Sequence, residues 1–144
     1  MALPRPEVGQ VIRYVYLWHR QDMAGREDGE KARPCAIVVA IAPAGPQQTG
    51  ESVAVVPITH SPPADPRHAI ELPADVKRQL GLDGDRSWLV LDEINRFVWP
   101  GPDLASDGSS FVYGTLPNAL TGRMLRTLAT LIRAKRLKVV MRTE

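Results

Sequence analysis

The sequence has few residues that bind metal ions or cross-link the chain. Its 144 residues include one cysteine, too few for a disulfide within the chain, and three histidines. His19, His60 and His68 lack a zinc-ligand spacing such as His-x-x-x-His. Cys35 lies in an apolar run and is interpreted as a small core residue. The sequence therefore predicts a protein that uses no disulfide, metal ion or cofactor.

Long apolar segments are also absent. No stretch approaches the roughly 20 residues needed to cross a bilayer, and residues 1–6 lack the apolar core of a signal peptide. Together with the single cysteine, this predicts a cytoplasmic protein without a membrane partner. Phosphate-binding glycine loops and a nucleophile elbow are missing as well, which argues against nucleotide-dependent and serine-hydrolase chemistry.

Positive charge is concentrated near the end of the chain, although the net charge is only +2. A solvated helix face is the favoured interpretation, and contact with phosphates or with an acidic protein is the alternative. The cations of this stretch are Arg123, Arg126, Arg133, Lys135, Arg136, Lys138 and Arg142.

Hydrophobic patterning predicts a single strand-rich domain over residues 1–144. Strands come first, a short helix is inserted, and an amphipathic helix follows near the C-terminus, an order typical of an α+β, mainly β fold. A polar loop is expected from Gln21 to Lys31, and Leu137–Met141 is left open between strand and helix. The predicted strands are Val11–Trp18, Cys35–Ile41, Val53–Val56, His68–Leu72, Ser87–Trp99 and Phe111–Gly114, and the predicted helices are Ala74–Leu80 and a segment opened by Pro117.

Polar residues stand at the ends of several predicted strands. Arg33 precedes the most apolar strand, Thr59 and His60 follow the next one, and Asp92 and Glu93 interrupt a later one. If these strands are neighbours, the polar groups converge on one face. A guanidinium, a hydroxyl, an imidazole and a carboxylate suit metal-free cleavage of a phosphodiester, which needs a base, an acid and a cation.

Each of these residues also has a structural interpretation. Arg33 can neutralise Glu27 or Asp28, Thr59 can cap a turn, and the two acids of the later strand can form a solvated bulge. Among the tryptophans, the alternation places Trp18 and Trp88 in the core. Trp99 is the best candidate for an exposed ring, which could stack on RNA bases or lie in a dimer contact.

Several of these segments, taken in order, resemble the PemK/MazF family, the toxins of bacterial toxin–antitoxin pairs. The resemblance spans about residues 8 to 132. The most specific pieces are Arg33-Pro34 before an aliphatic strand and Val56-Pro57-Ile58-Thr59. The other matching pieces are Gly9-Gln10-Val11-Ile12-Arg13-Tyr14, Leu80-Gly81-Leu82, the strand around Asp92-Glu93 and Gly114-Thr115-Leu116.

The resemblance implies a small, partly open β-barrel of the Src-homology-3-like CcdB/PemK type, with loop 19–33 and tail 133–144 extended. It also implies a homodimeric, metal-independent endoribonuclease that cuts single-stranded RNA and leaves a 2′,3′-cyclic phosphate and a 5′-hydroxyl. The implied partners are an antitoxin protein and, for the toxin–antitoxin complex, operator DNA.

Carried over by position, the resemblance gives roles to individual residues. Arg33 matches the catalytic arginine and Thr59 the active-site threonine. Asp28, or its neighbour Glu27 or Glu30, matches an acid of the first loop, and Asp92 matches an acid of the later strand. Glu93, Arg96 and Trp99 complete the expected RNA-binding set.

This chain departs from the family pattern at two site positions. Val90 stands where many members have an arginine, and His60 follows Thr59 where serine or threonine is common. The hypothesis is that His60 supplies the acid or base. A non-catalytic binding module on the same fold, acting on a protein target such as gyrase or binding nucleic acid or antitoxin, is the alternative function.

Overall fold

The computed structural model describes residues 5–26, 29, 31–41, 50–99 and 111–142. Within these residues the protein is α+β and mainly β, as predicted, with eight strands, three α-helices and a 3₁₀ turn at Pro66–His68. The strands are β1 (Gln10–Val15), β2 (Ala32–Ile41), β3 (Ser52–Thr59), β4 (Ala69–Glu71), β5 (Trp88–Val90), β6 (Glu93–Val98), β7 (Val112–Thr115) and β8 (Lys138–Met141). The helices are α1 (His19–Met23), α2 (Ala74–Gln79) and α3 (Asn118–Arg133).

The strands form one sheet in the order β4-β5-β3-β2-β1-β7, with β6 paired to β3 and β8 paired to β6. Every pairing is antiparallel except that of β6 with β8, which is parallel. No pairing within the described ranges joins β4 to β7, so the sheet is not closed into a barrel.

Strand β3 lies at the centre of the sheet and has three neighbours. One edge pairs with β2, while the other pairs first with β6 along Ser52–Val55 and then with β5 along Ile58–Thr59. Pro57 lies between the two partners and opposite Cys35 of β2. The predicted strand Val53–Val56 was therefore too short, because β5 continues the pairing past the proline to Thr59.

Apolar side chains pack into two clusters on opposite faces of the sheet. In β2, Ala36 and Val38 belong to one cluster while Cys35 and Ile37 belong to the other, as the period of two in a strand requires. This confirms burial on both faces for Cys35 to Val38, whereas Val39 and Ile41 at the end of the run are 37% and 55% exposed. Helix α3 covers the first face with Leu120, Met124, Leu128 and Leu131, and the second holds Tyr14, Tyr16, Phe97 and Trp99.

The predicted helices are confirmed, with small changes. Helix α2 is followed by Gly81, whose φ of +71° favours glycine and ends the helix. In α3, Leu125 and Ile132 have the three- and four-residue spacing of the apolar stripe, but they are 37% and 57% exposed. No helix within the described ranges is long and apolar enough to cross a membrane.

Two segments differ from the predictions. The predicted strand Ser87–Trp99 is two strands, because β5 pairs with β3 and β4 while β6 pairs with β3 and β8, and the chain steps between them at Leu91 and Asp92. The first residues of the predicted polar loop, Gln21 to Met23, belong instead to helix α1. The buried Gln21 side chain accepts a hydrogen bond from Trp18 N at 3.1 Å and so closes the first turn.

Candidate functional site

The start of β2 and the end of β3 bring Arg33 and Thr59 together. Cys35 pairs with Pro57 in the antiparallel register, and continuing that register by two residues places Arg33 level with Thr59. Both residues, with Lys31, line two adjacent hollows. The sequence predicted this convergence on the condition that the strands are neighbours, and the pairing of β2 with β3 meets that condition for Arg33 and Thr59.

The first hollow is also bordered by His60. The second is also bordered by Trp18 and Arg20, at the start of α1. Lys31, Arg33, Thr59, His60, Asp83 and Ser87 are among the residues around the first hollow. Trp18, Arg20, Lys31, Arg33, Thr59 and Glu93 are among those around the second. Cations therefore outnumber carboxylates in the second hollow, which favours an anionic ligand.

Arg33 is the most unusual side chain of this surface. Its Nε is buried and has no hydrogen-bond partner, and within the described ranges no carboxylate lies in ion-pair distance of its guanidinium. Its Cζ lies 5.1 Å from the centroid of the Trp18 ring. A buried donor without a partner is costly, and a phosphate oxygen is an acceptor that can satisfy it. Glu27 and Asp28, the alternative partners considered for Arg33, lie outside the described residues.

Trp18 is half-buried and lies between the core and the second hollow. Its ring contacts the guanidinium carbons of Arg20 at 5.0 Å and of Arg33 at 5.1 Å, while packing against the second apolar cluster. The assignment of Trp18 to the core was therefore incomplete, because one part of the ring borders the hollow.

Trp99 is buried, and the prediction that its ring is exposed is wrong. It is 8% exposed and packs against Phe97 and Phe111, with ring centroids 6.3 and 5.7 Å away. Trp99 N donates to Glu51 O at 2.8 Å and so extends the β6 pairing beyond Val98. The alternation of β6 thus continues to Trp99 and turns its ring toward the second cluster.

Glu93 borders the second hollow and organises the entry to α1. Its Oε1 accepts hydrogen bonds from Tyr16 OH at 3.1 Å and from His19 N at 2.9 Å. Burial, followed by the nearby Glu93 carboxylate, raises the pKa of the Tyr16 hydroxyl well above its usual value. Glu93 is buried, so the interpretation of this acid as part of a solvated bulge is wrong.

Two further predicted site residues, Asp92 and Arg96, are not brought to Arg33. Asp92 borders a different hollow with Lys135 and Lys138, and its Oδ2 lies 3.6 Å from His68 Nδ1. Arg96 is exposed in the middle of β6, opposite Ala54. Asp28 and Glu30 lie outside the described residues.

His60 is held by a carboxylate that the sequence analysis did not single out. Its Nε2 lies 2.8 Å from Asp83 Oδ2, and Asp83 Oδ1 lies 2.8 Å from Nζ of the buried Lys77. The Lys77 hydrogen bond is the main cause of the lowered pKa of Asp83, with smaller contributions from the Asp85 backbone and His60. No local motif signals this contact, because Asp83 lies in an ordinary polar turn after α2.

Asp83 and Asp85 of this turn and His60, which follows β3, offer ligand atoms within 4.8 Å of one another. The Lys77 ammonium already donates a hydrogen bond to Asp83 and supplies the positive charge that a metal ion would bring to this cluster. We therefore assign no metal ion to these exposed groups.

The arrangement combines cations, a hydroxyl, an imidazole and an aromatic ring on one connected surface. Cations contact phosphates and an indole stacks on bases, which are the two elements of single-stranded nucleic-acid binding. Comparison with known proteins adds no identification, since neither a family model nor a curated protein matches the chain.

Proposed function

We propose that this protein is a PemK/MazF-type toxin that cleaves single-stranded RNA without a metal ion. The observation that carries the proposal is the convergence of Lys31, Arg33, Thr59 and His60 on one hollow, with the Arg33 Nε buried and without a hydrogen-bond partner among the described residues. RNA supplies its own nucleophile, the 2′-hydroxyl, so the protein needs to position the phosphate and manage charge and protons.

In the proposed reaction the 2′-oxygen attacks the adjacent phosphorus while the bond from phosphorus to the 5′-oxygen breaks. His60, or a carboxylate of the first loop, takes the proton of the 2′-hydroxyl. Thr59 holds the phosphate, and Arg33 stabilises the negative charge of the phosphorane. A proton from Arg33 or solvent reaches the leaving 5′-oxygen, which yields a 2′,3′-cyclic phosphate and a 5′-hydroxyl.

The proposal extends to fold type and partners. The split pairing of β3 with β6 and β5, and helix α3 on one face, are compatible with a partly open, Src-homology-3-like barrel of the CcdB/PemK type. We propose a cytoplasmic homodimer that is neutralised by an antitoxin and binds operator DNA with it. Exposed Lys135, Arg136 and Lys138 offer positive charge for an acidic antitoxin segment or for DNA.

One observation favours a non-catalytic binding module instead. Asp92 does not line either hollow beside Arg33, and Val90 occupies the second hollow where the family pattern has an arginine. Two groups that the resemblance would place at the reaction are therefore missing from the described surface. A binder would keep the positively charged surface without turnover.

Cleavage of RNA in EDTA distinguishes the two functions. The purified chain is incubated with mixed-sequence single-stranded RNA beside Arg33→Ala and, as a control, Arg123→Ala, which changes an exposed arginine of α3. We expect discrete fragments with 5′-hydroxyl ends from the wild type and the control, and at least about a 10²-fold loss in Arg33→Ala. A folded wild type that cleaves no RNA would exclude the nuclease and favour the binding module.

A further inference from the structure

We infer that Asp83, fixed by the buried Lys77, is a positioning residue that orients the His60 imidazole toward the RNA. The inference rests on the proposed function for its catalytic meaning. The contact itself stands on the geometry of the free protein and is testable without RNA.

The anchor is the ammonium of Lys77, which is 4% exposed. A buried ammonium is tolerated when its three donors have acceptors. Lys77 Nζ donates to Asp83 Oδ1 and to Ser87 Oγ, each at 2.8 Å, and to the carbonyl oxygen of Asp85. Helix α2 and the turn after it therefore form a satisfied charged centre, which is more rigid than a surface ion pair.

Asp83 connects this rigid centre to His60 at the surface. One carboxylate oxygen contacts Lys77, and the other lies 2.8 Å from His60 Nε2. The Asp85 N–H also donates to Asp83 Oδ1 at 3.1 Å, which fixes the carboxylate further. A carboxylate 2.8 Å from Nε2 favours the tautomer that carries its proton on that nitrogen, which leaves Nδ1 of His60 as the acceptor.

The imidazole held in this way stands beside the groups proposed to hold the phosphate. His60 directly follows Thr59, and both border the first hollow with Lys31 and Arg33. A base must lie within hydrogen-bond reach of the proton that it removes, so restricting an exposed imidazole increases the fraction of productive geometries. The His60 side chain is 58% exposed, and without Asp83 little else in the described contacts restrains it.

An exposed ion pair without function is the competing interpretation. Such pairs contribute little to stability and often nothing to activity. The two interpretations differ in what Asp83→Ala does: a functionless pair leaves turnover unchanged, whereas a positioning residue lowers kcat with little change in KM.

The first measurement is a ¹H–¹⁵N spectrum of the histidine side chains at low temperature, with His60→Ala to assign the resonance. We expect a hydrogen-bonded Nε2–H signal of His60 in the wild type that is lost in Asp83→Ala. Asp85→Ala is the matched control, because Asp85 serves Lys77 through its backbone carbonyl and that group survives the substitution. Absence of the signal in the wild type would overturn the inference.

The second measurement is single-turnover and steady-state RNA cleavage by the same variants. We expect about a 10²-fold lower kcat in Asp83→Ala, little change in Asp85→Ala, and no further loss when Asp83→Ala is added to His60→Ala. Asp83→Asn provides a second variant if the alanine protein does not fold. Cleavage by the wild type with full activity in Asp83→Ala, or in His60→Ala, would overturn the inference and leave the nuclease in place. A wild type with the Nε2–H signal but without cleavage would overturn the proposed function and, with it, the positioning role.

Discussion

Asn95 holds the backbone of Leu17 through two hydrogen bonds, with Oδ1 accepting from Leu17 N at 2.9 Å and Nδ2 donating to Leu17 O at 2.8 Å. The amide thereby replaces a strand partner just beyond the end of β1. Arg142 Nη1 donates to the same Oδ1 at 3.2 Å and to Val15 O at 2.7 Å. This buried group fixes the chain immediately before Trp18.

We predict that Asn95→Ala lowers the free energy of unfolding by about 1–3 kcal/mol, because the backbone N–H and C=O of Leu17 lose their buried partners. Urea denaturation measures the change. Asn95→Asp keeps the acceptor oxygen but loses the donor to Leu17 O, so it separates the two bonds. An unchanged urea midpoint in Asn95→Ala would contradict this account.

Lys77→Met should destabilise the protein by a similar amount, about 1–3 kcal/mol, since the Ser87 hydroxyl and the Asp85 carbonyl are left without their donor. The matched control is Arg78→Met, which changes the neighbouring cation on the exposed side of the same helix. Thermal unfolding of both variants tests the difference. Equal melting temperatures for the two variants would show that the buried ammonium contributes nothing.

The Cys35 thiol should not react with a disulfide reagent in the folded protein at about pH 8, where an ordinary thiol reacts readily. Burial raises the pKa of this thiol, and the opposing charges of Arg33 and Arg142 only partly offset it. The same chain in concentrated guanidinium chloride should release one equivalent of the chromophore, from its single cysteine. Rapid reaction of the native protein would show that β2 opens readily.

Trp18→Ala should weaken binding of single-stranded RNA about tenfold to a hundredfold, the loss expected for about 1–3 kcal/mol of base stacking. Fluorescence anisotropy with 2′-O-methyl RNA measures affinity without cleavage, because the nucleophile is blocked. Trp99→Phe is the control, since Trp99 is buried beside Phe97 and Phe111. Equal affinity in wild type and Trp18→Ala would remove Trp18 from the proposed RNA site.

The sequence predicted the strand-rich fold well where the hydrophobic pattern of a single segment depends only on which of its side chains are buried. The apolar run of β2 and the apolar stripe of α3 gave the correct elements because each is set by burial along a single segment. Leu125 and Ile132 share the spacing of the stripe but are exposed, because only the side of the stripe that faces the sheet is buried. The sequence marked an interruption at Asp92 and Glu93 but not the division into two strands, because that division depends on which strands β5 and β6 pair with.

For the candidate site, the sequence likewise showed the residues set by a single segment and missed those set by contacts between segments. Arg33 and Thr59 were found because each marks the end of a strand, and antiparallel pairing brings such ends together. Asp83 was missed because its meaning depends on a buried lysine from α2 and on an imidazole that follows β3, well before it in the chain. Trp18 was judged by alternation alone, which cannot show where a face of the sheet meets a hollow. Trp99 was judged exposed from its position before Pro100-Gly101, although the alternation of β6 continues to it.

The hydrogen bond from Arg142 to Val15 joins residues 127 positions apart. During synthesis on the ribosome, Val15 and Asn95 therefore lack this hydrogen-bond donor until residue 142 has left the exit tunnel. Strand β6 lacks its parallel neighbour β8 for nearly as long. The turn that carries Trp18 is thus completed late. A nascent chain from which residue 142 has not yet emerged lacks this final support for the surface proposed to contact RNA.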